Sequence, residues 1–208
     1  MMKRRKITLC LLAAGLLAAG ISGAKLYTEA AEIYDNTIRL HVLAASDSEE
    51  DQALKLTVRD ALVHQVAALT EGAPDKETGE AILRDNIPYL TEIAKETLGK
   101  EGCEDDVRIT LTTEYYPTRE YDRLRLPAGE YTSLQVKIGA AEGKNWWCVL
   151  FPPVCTSSAR AEEAMAETGF SKRQIRLLTE DEDPRYTLKF RVVEQFSQIK
   201  RSLKELFR

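Results

Sequence analysis

The side chains with the most reactive potential in this 208-residue chain are four cysteines and two histidines. A thiol attacks a carbonyl only when an adjacent base or a lowered pKa makes it a thiolate. Cys148 or Cys155 as nucleophile with His41 as base would therefore make a thiol-dependent hydrolase. The setting opposes it, because Cys148 falls in the apolar run Trp146 to Phe151, where burial raises a thiol pKa and blocks access. Ser46 and Ser48 could seed a serine triad, yet helix capping accounts for both hydroxyls. A metal site needs three or four converging His, Cys or carboxylate ligands. His41, His64 and cysteines without a C-x-x-C pair do not supply them. Neither G-x-x-x-x-G-K-[ST] nor G-x-G-x-x-G occurs, so nucleotide chemistry has no support. The reading is of a protein with no catalytic residues, no metal and no cofactor.

The N-terminus points outside the cytoplasm. Lys3, Arg4, Arg5 and Lys6 precede an uncharged run from Ile7 to Gly23, and Ser22 and Ala24 put small residues where a signal peptidase cuts. The run approaches the ~20 residues that span a bilayer, so residues 1–24 read as a signal peptide or an uncleaved membrane anchor. Cys10 lies inside it without the small residues that precede a lipidated cysteine. Removing four of the 29 Lys and Arg leaves 25 against 33 Asp and Glu, a net charge of −8. That disfavours nucleic acid as a partner. Cys103, Cys148 and Cys155 remain after Ala24. In an oxidising compartment Cys148 and Cys155 could bridge over Pro152-Pro153, whereas an extended strand would hold them beyond the ~5.5 Å Cα spacing of a disulfide. Both alternatives stay open.

The elements that would position these residues follow from periodicity. Ile38, Leu40 and Val42 alternate with Arg39, His41 and Leu43, a strand with one buried face. Ser46 to Asp51 supplies an N-cap, capping-box spacing and an acidic first turn. A helix follows to about Thr70, burying Leu54, Val58, Ala61, Leu62, Val66 and Leu69. A second helical stretch, Lys76 to Leu98, must kink or split at Pro88. Strands are expected from Val107 to the closing Tyr115-Tyr116-Pro117 and at Tyr131 to Ile138, with a weak strand or loop at Tyr121 to Leu126. Gly139 to Asn145 reads as a hairpin turn, and Trp146 to Phe151 as a central strand covered on both faces, with both tryptophans in the core. Ala159 to Thr168 is a short amphipathic piece. From Arg185 a basic helix is expected, with Val192, Phe196, Ile199, Leu203 and Leu206 on one stripe and docked on the sheet. The fold class is α+β: residues 37–208 form one domain, a mostly antiparallel sheet packed by helices, after a 25–36 linker.

Three separated blocks carry a family likeness. Gly143 to Cys155 holds both tryptophans and two cysteines, Ile38 to Asp60 contains the first strand and cap, and between them stand Tyr116-Pro117 and Pro127-Ala128-Gly129-Glu130-Tyr131. In this order they resemble the stage II sporulation protein R family, over nearly all of Ile38 to Leu206. The family usually has asparagine at the position of Ala45 and glycine at that of Arg123, which alters a local cap and a turn. The resemblance implies a protein made in the forespore and exported into the space between the two membranes. There it activates a membrane-embedded aspartic protease that removes the pro-sequence of mother-cell sigma factor E. It also implies a ligand without enzymatic activity of its own, associated with a membrane at its N-terminus if the signal is uncleaved. A surface of the domain would bind the protease and favour its active state. The expected contact residues are Arg39, His41, Ser46, Asp47 and Asp51, with Trp146 or Trp147. A secreted thiol-dependent hydrolase is the competing function.

Overall fold

The structure is a computed structural model that describes residues 32–121, 124–154 and 161–179, with the isolated positions 195 and 202. The expected signal or anchor at 1–24, Cys155 and the basic helix from Arg185 lie outside the described residues. No helix among the described residues is long and apolar enough to cross a membrane.

Strand β1 (Ile38–Leu43) leads into α1 (Glu49–Leu69), α2 (Lys76–Asp85) and α3 (Ile87–Lys100). β2 (Val107–Tyr116), the short pair β3 (Arg119–Tyr121) and β4 (Leu124–Leu126), β5 (Gly129–Ile138) and β6 (Asn145–Phe151) follow, then α4 (Ala161–Glu167) and α5 (Lys172–Thr179). The fold is α+β, with a four-stranded sheet ordered β2-β5-β1-β6. β2–β5 and β1–β6 are antiparallel, while β1 and β5 run parallel.

Local chemistry explains most boundaries. Ser48 caps α1 by accepting from the Asp51 N–H, and Glu49, Glu50 and Asp51 complement the helix dipole. The long helical stretch divides at Asn86, which ends α2 and precedes α3, with Pro88 in the first turn of α3 where its missing N–H costs nothing. Val58, Leu62 and Val66 of α1, Leu83 of α2, and Leu90, Ala94 and Leu98 of α3 pack on Ile38, Leu40, Val42, Leu134, Val136 and Ile138. The helices thus cover one face of the sheet.

Two expectations about β6 are corrected. Residues 139–144 do not form a hairpin, because β1 lies between β5 and β6 and pairs with both. The connection instead crosses the end of β1, where the Glu142 and Gly143 N–H groups donate to the Ala45 and Ala44 carbonyls at 3.1 and 3.0 Å. Among the described residues β6 is consequently an edge strand of this sheet, not a central one. Only Cys148 to Phe151 are buried, and Asn145 and Trp146 are exposed. The Tyr121 to Leu126 region is a hairpin pair, Arg119–Tyr121 against Leu124–Leu126. Ahead of β1, Ile33 and Tyr34 are buried, and the Tyr34 hydroxyl donates to the Ala128 carbonyl at 2.9 Å. Packing therefore begins before Thr37. A second apolar cluster joins Ile33, Leu126 and Val149 to Met165 and Phe170 of the α4 region, under one end of the other sheet face.

Candidate functional site

The strand period of two puts Arg39, His41, Glu114, Tyr116, Tyr131, Ser133, Gln135, Trp147 and Val149 on the sheet face away from α1–α3. At one end of that face Arg39 is fully buried. Its guanidinium carbon lies 4.1, 4.9 and 5.5 Å from the ring centroids of Tyr116, Tyr131 and Tyr121. Nε donates to the Cys148 carbonyl at 3.3 Å, and Nη2 donates to the Tyr121 hydroxyl. The charge is met mainly by ring quadrupoles. Burial pushes the phenol groups of Tyr116, Tyr121 and Tyr131 up, with Arg39 only partly countering, so all three stay neutral.

The next positions along the face are polar and largely buried: the side chains of His41 and Glu114 are 12% and 19% exposed, and Ser133 is fully buried. His41 Nδ1 is 3.0 Å from Glu114 Oε1, and Nε2 is 2.7 Å from Asn145 Oδ1. The Ser133 hydroxyl donates to Glu114 Oε2 at 2.5 Å and accepts from Tyr116 at 2.7 Å, while Gln135 Nε2 donates to Glu114 Oε1. Burial pushes the Glu114 carboxyl up, but the His41, Ser133 and Gln135 hydrogen bonds and the His41 charge outweigh it, leaving it below the usual carboxylate range. With Nδ1 donating to Glu114, Nε2 donates to the Asn145 carbonyl as imidazolium, or accepts from a rotated amide as the neutral ring. Both nitrogens are engaged, which leaves neither free to serve a nucleophile as a base.

Trp147 stands between this network and a second cation. Its ring centroid is 5.6 Å from His41, and the Arg119 guanidinium carbon lies 3.9 Å from its centroid. Trp146 points to the opposite face and is 37% exposed, with the Arg59 guanidinium at 4.3 Å and Arg59 ion-paired to Asp60 at 2.6 Å. The expectation that both tryptophans are core residues is corrected. The β6 edge position leaves Trp146 exposed, while Trp147 is only partly buried, packed against Tyr34, Tyr116 and Tyr131.

Ser46, Asp47 and Asp51 form a separate cluster, in the turn between β1 and α1. Asp47 Oδ1 accepts the Lys144 N–H at 2.7 Å, Ser46 bonds Asp51, and the Gln52 amide donates to the Ser46 carbonyl at 2.8 Å. The buried Lys55 ammonium donates to the Lys144 carbonyl at 2.9 Å and to Gln52 at 2.6 Å. Burial holds Lys55 below the usual lysine range, with Asp47 partly opposing and Arg59 and Lys144 adding to the depression. Gly143 is required at this junction, since a Cβ there would lie 2.1 Å from the Ser46 carbonyl oxygen. These polar groups hold a turn together.

The expected contact residues thus divide four ways. His41 and Trp147 share the open face, Ser46, Asp47 and Asp51 knit the β1–α1 turn, and Trp146 lies on the far side. Arg39 is inside the protein, and any influence it has on a partner runs through its tyrosines. Cys148 is buried in β6 and disulfide-bonded. Its sulfur is therefore no free thiolate, and the thiol-hydrolase reading loses that nucleophile. The partner of Cys148 lies outside the described residues. Sequence reasoning missed Glu114, Asn145, Arg119 and the tyrosine cage. Glu114 could have been found as the lone charge between Arg108 and Arg119 on an alternating strand.

The stage II sporulation protein R family matches residues 34–161. Stage II sporulation protein R of Bacillus subtilis (strain 168) is 36% identical over 152 residues, covering 72% of this chain and 68% of that protein. No solved structure matches. The matched region contains all of β1 to β6, and with it both polar clusters and both tryptophans, so this chain belongs to the stage II sporulation protein R family.

Proposed function

We propose that this protein is an exported, non-enzymatic signal of sporulation, passed from the forespore into the intermembrane space. It activates a membrane-embedded aspartic protease in the mother-cell membrane, which then processes the precursor of sigma factor E. The family supports the sporulation role. The N-terminal basic and apolar segment supports export. The observation that carries a ligand role is the Arg119–Trp147–His41–Glu114 stack: an aromatic and charged surface in which Arg119 lies on the Trp147 ring and His41 and Glu114 are held by hydrogen bonds to each other and to Asn145, Ser133 and Gln135. Such preorganised Trp and Arg groups suit a binding hot spot, since little side-chain entropy is left to lose on contact. A protease so activated must bind this surface more tightly in its active state than in its inactive one.

The test is precursor processing in a non-sporulating host that carries the protease and expresses this protein, with or without residues 1–24. Processing that requires both the protein and its export segment is the expected result. Secreted, folded protein that yields no processing overturns the proposal.

A further inference from the structure

A groove of about 720 Å³ runs between the C-terminal end of α1, the following turn, and α4. Its floor is apolar, built from Ala67, Pro74, Phe151 and Ala164 among others. Its charged lining residues, among those described, are Glu71, Glu163 and Glu167, all exposed and all acidic. Glu163 and Glu167 stand four residues apart on α4, one above the other.

The chain continues for 29 residues beyond Thr179, the end of α5. Within that stretch Val192, Phe196, Ile199, Leu203 and Leu206 recur at helical spacing. Lys200 and Lys204 directly follow two of those apolar positions and are themselves four apart. The segment is thus amphipathic with a basic flank, and it begins one short helix after α4. It offers an apolar stripe for an apolar floor, and paired cations for paired carboxylates at the same spacing.

We propose that this groove is the seat of the chain's own C-terminal segment, its Phe196–Leu203 stripe on the floor and Lys200 and Lys204 against Glu163 and Glu167. Seating it buries apolar surface on both sides. Attachment to the same chain raises its effective concentration to the millimolar range, so weak contacts suffice. This docking is independent of the receptor-binding surface proposed above, which lies on the sheet face.

Hydrogen exchange on the exported full chain tests it. Amides 194–206 are expected to exchange at least about tenfold slower than in the free peptide, independent of protein concentration. Glu163→Lys/Glu167→Lys should remove that protection, and adding Lys200→Glu/Lys204→Glu should restore it. Ala164→Trp, which fills the groove without changing charge, should release the segment as well. Four results overturn the proposal. They are an unprotected segment in the unmodified protein, protection indifferent to all these substitutions, protection that grows with protein concentration and so reports a second copy, and protection that appears only with phosphatidylglycerol vesicles.

Discussion

The guanidinium of Arg39 lies 4.1 Å from the centre of the Tyr116 ring, and its described partners are three tyrosines and one backbone carbonyl. A charge removed from water in this way depends on ring faces and on the Cys148 carbonyl for compensation. Its long apolar stem also fills the space between β1 and the β3–β4 pair.

Truncation and isosteric replacement should therefore separate at this position. Arg39→Ala opens a cavity and strands the Tyr121 hydroxyl, a loss of about 3 kcal/mol or more. Arg39→Met keeps most of the volume and removes the desolvated charge, and is expected within about 1.5 kcal/mol of the parent protein. Urea unfolding decides it; equal destabilisation by the two substitutions would contradict the cage as described.

Gly143→Ala should be severely destabilising. The added carbon would sit 2.1 Å from the Ser46 carbonyl oxygen, and backbone on both sides has to move. Gly99→Ala is the matched control, because nothing lies within 4 Å of its missing Cβ and the position is helical. It should stabilise the protein by about 0.5 kcal/mol. Thermal melting of both variants checks the pair, and a Gly143→Ala protein as stable as the parent would show that the turn is not closed in this way.

The Glu114 carboxyl titrates below the usual value of 4.5 in the folded protein, so the folded state holds the ionised form more firmly than the unfolded chain does. That contribution is fully present above pH 4.5 and is lost as pH falls through the lower folded value. Glu114→Gln should flatten the decline of stability in acid. Denaturant midpoints measured from pH 7 to pH 3 would show it, and parallel curves for the two proteins would count against the network.

Activation of the protease is expected to respond to the open face and to ignore the helix cap. Trp147→Ala or Arg119→Ala should reduce precursor processing by tenfold or more at equal amounts of secreted protein, about 1.4 kcal/mol or more of contact energy. Ser48→Ala should cost about 1 kcal/mol of stability through the lost cap on α1 and leave processing unchanged. Full activity of the Trp147 and Arg119 variants would remove this face from the contact.

The amino-acid sequence by itself determined the local elements: the period-two run of β1, the Ser48 cap, the break near Pro88 and the turn at Pro127-Ala128-Gly129 are each written in neighbouring residues. Its three blocks also pointed to the family. The tertiary structure alone decided the strand order. That β1 enters between β5 and β6 depends on pairing between residues about a hundred positions apart, and no short-range pattern encodes it. From that single insertion follow the edge position of β6, the exposure of Trp146 and the stacking of Trp147. The burial of Arg39 belongs there too, since alternation says which face a side chain takes and not what covers that face. The His41–Glu114–Asn145 network joins three strands whose proximity only the assembled sheet provides.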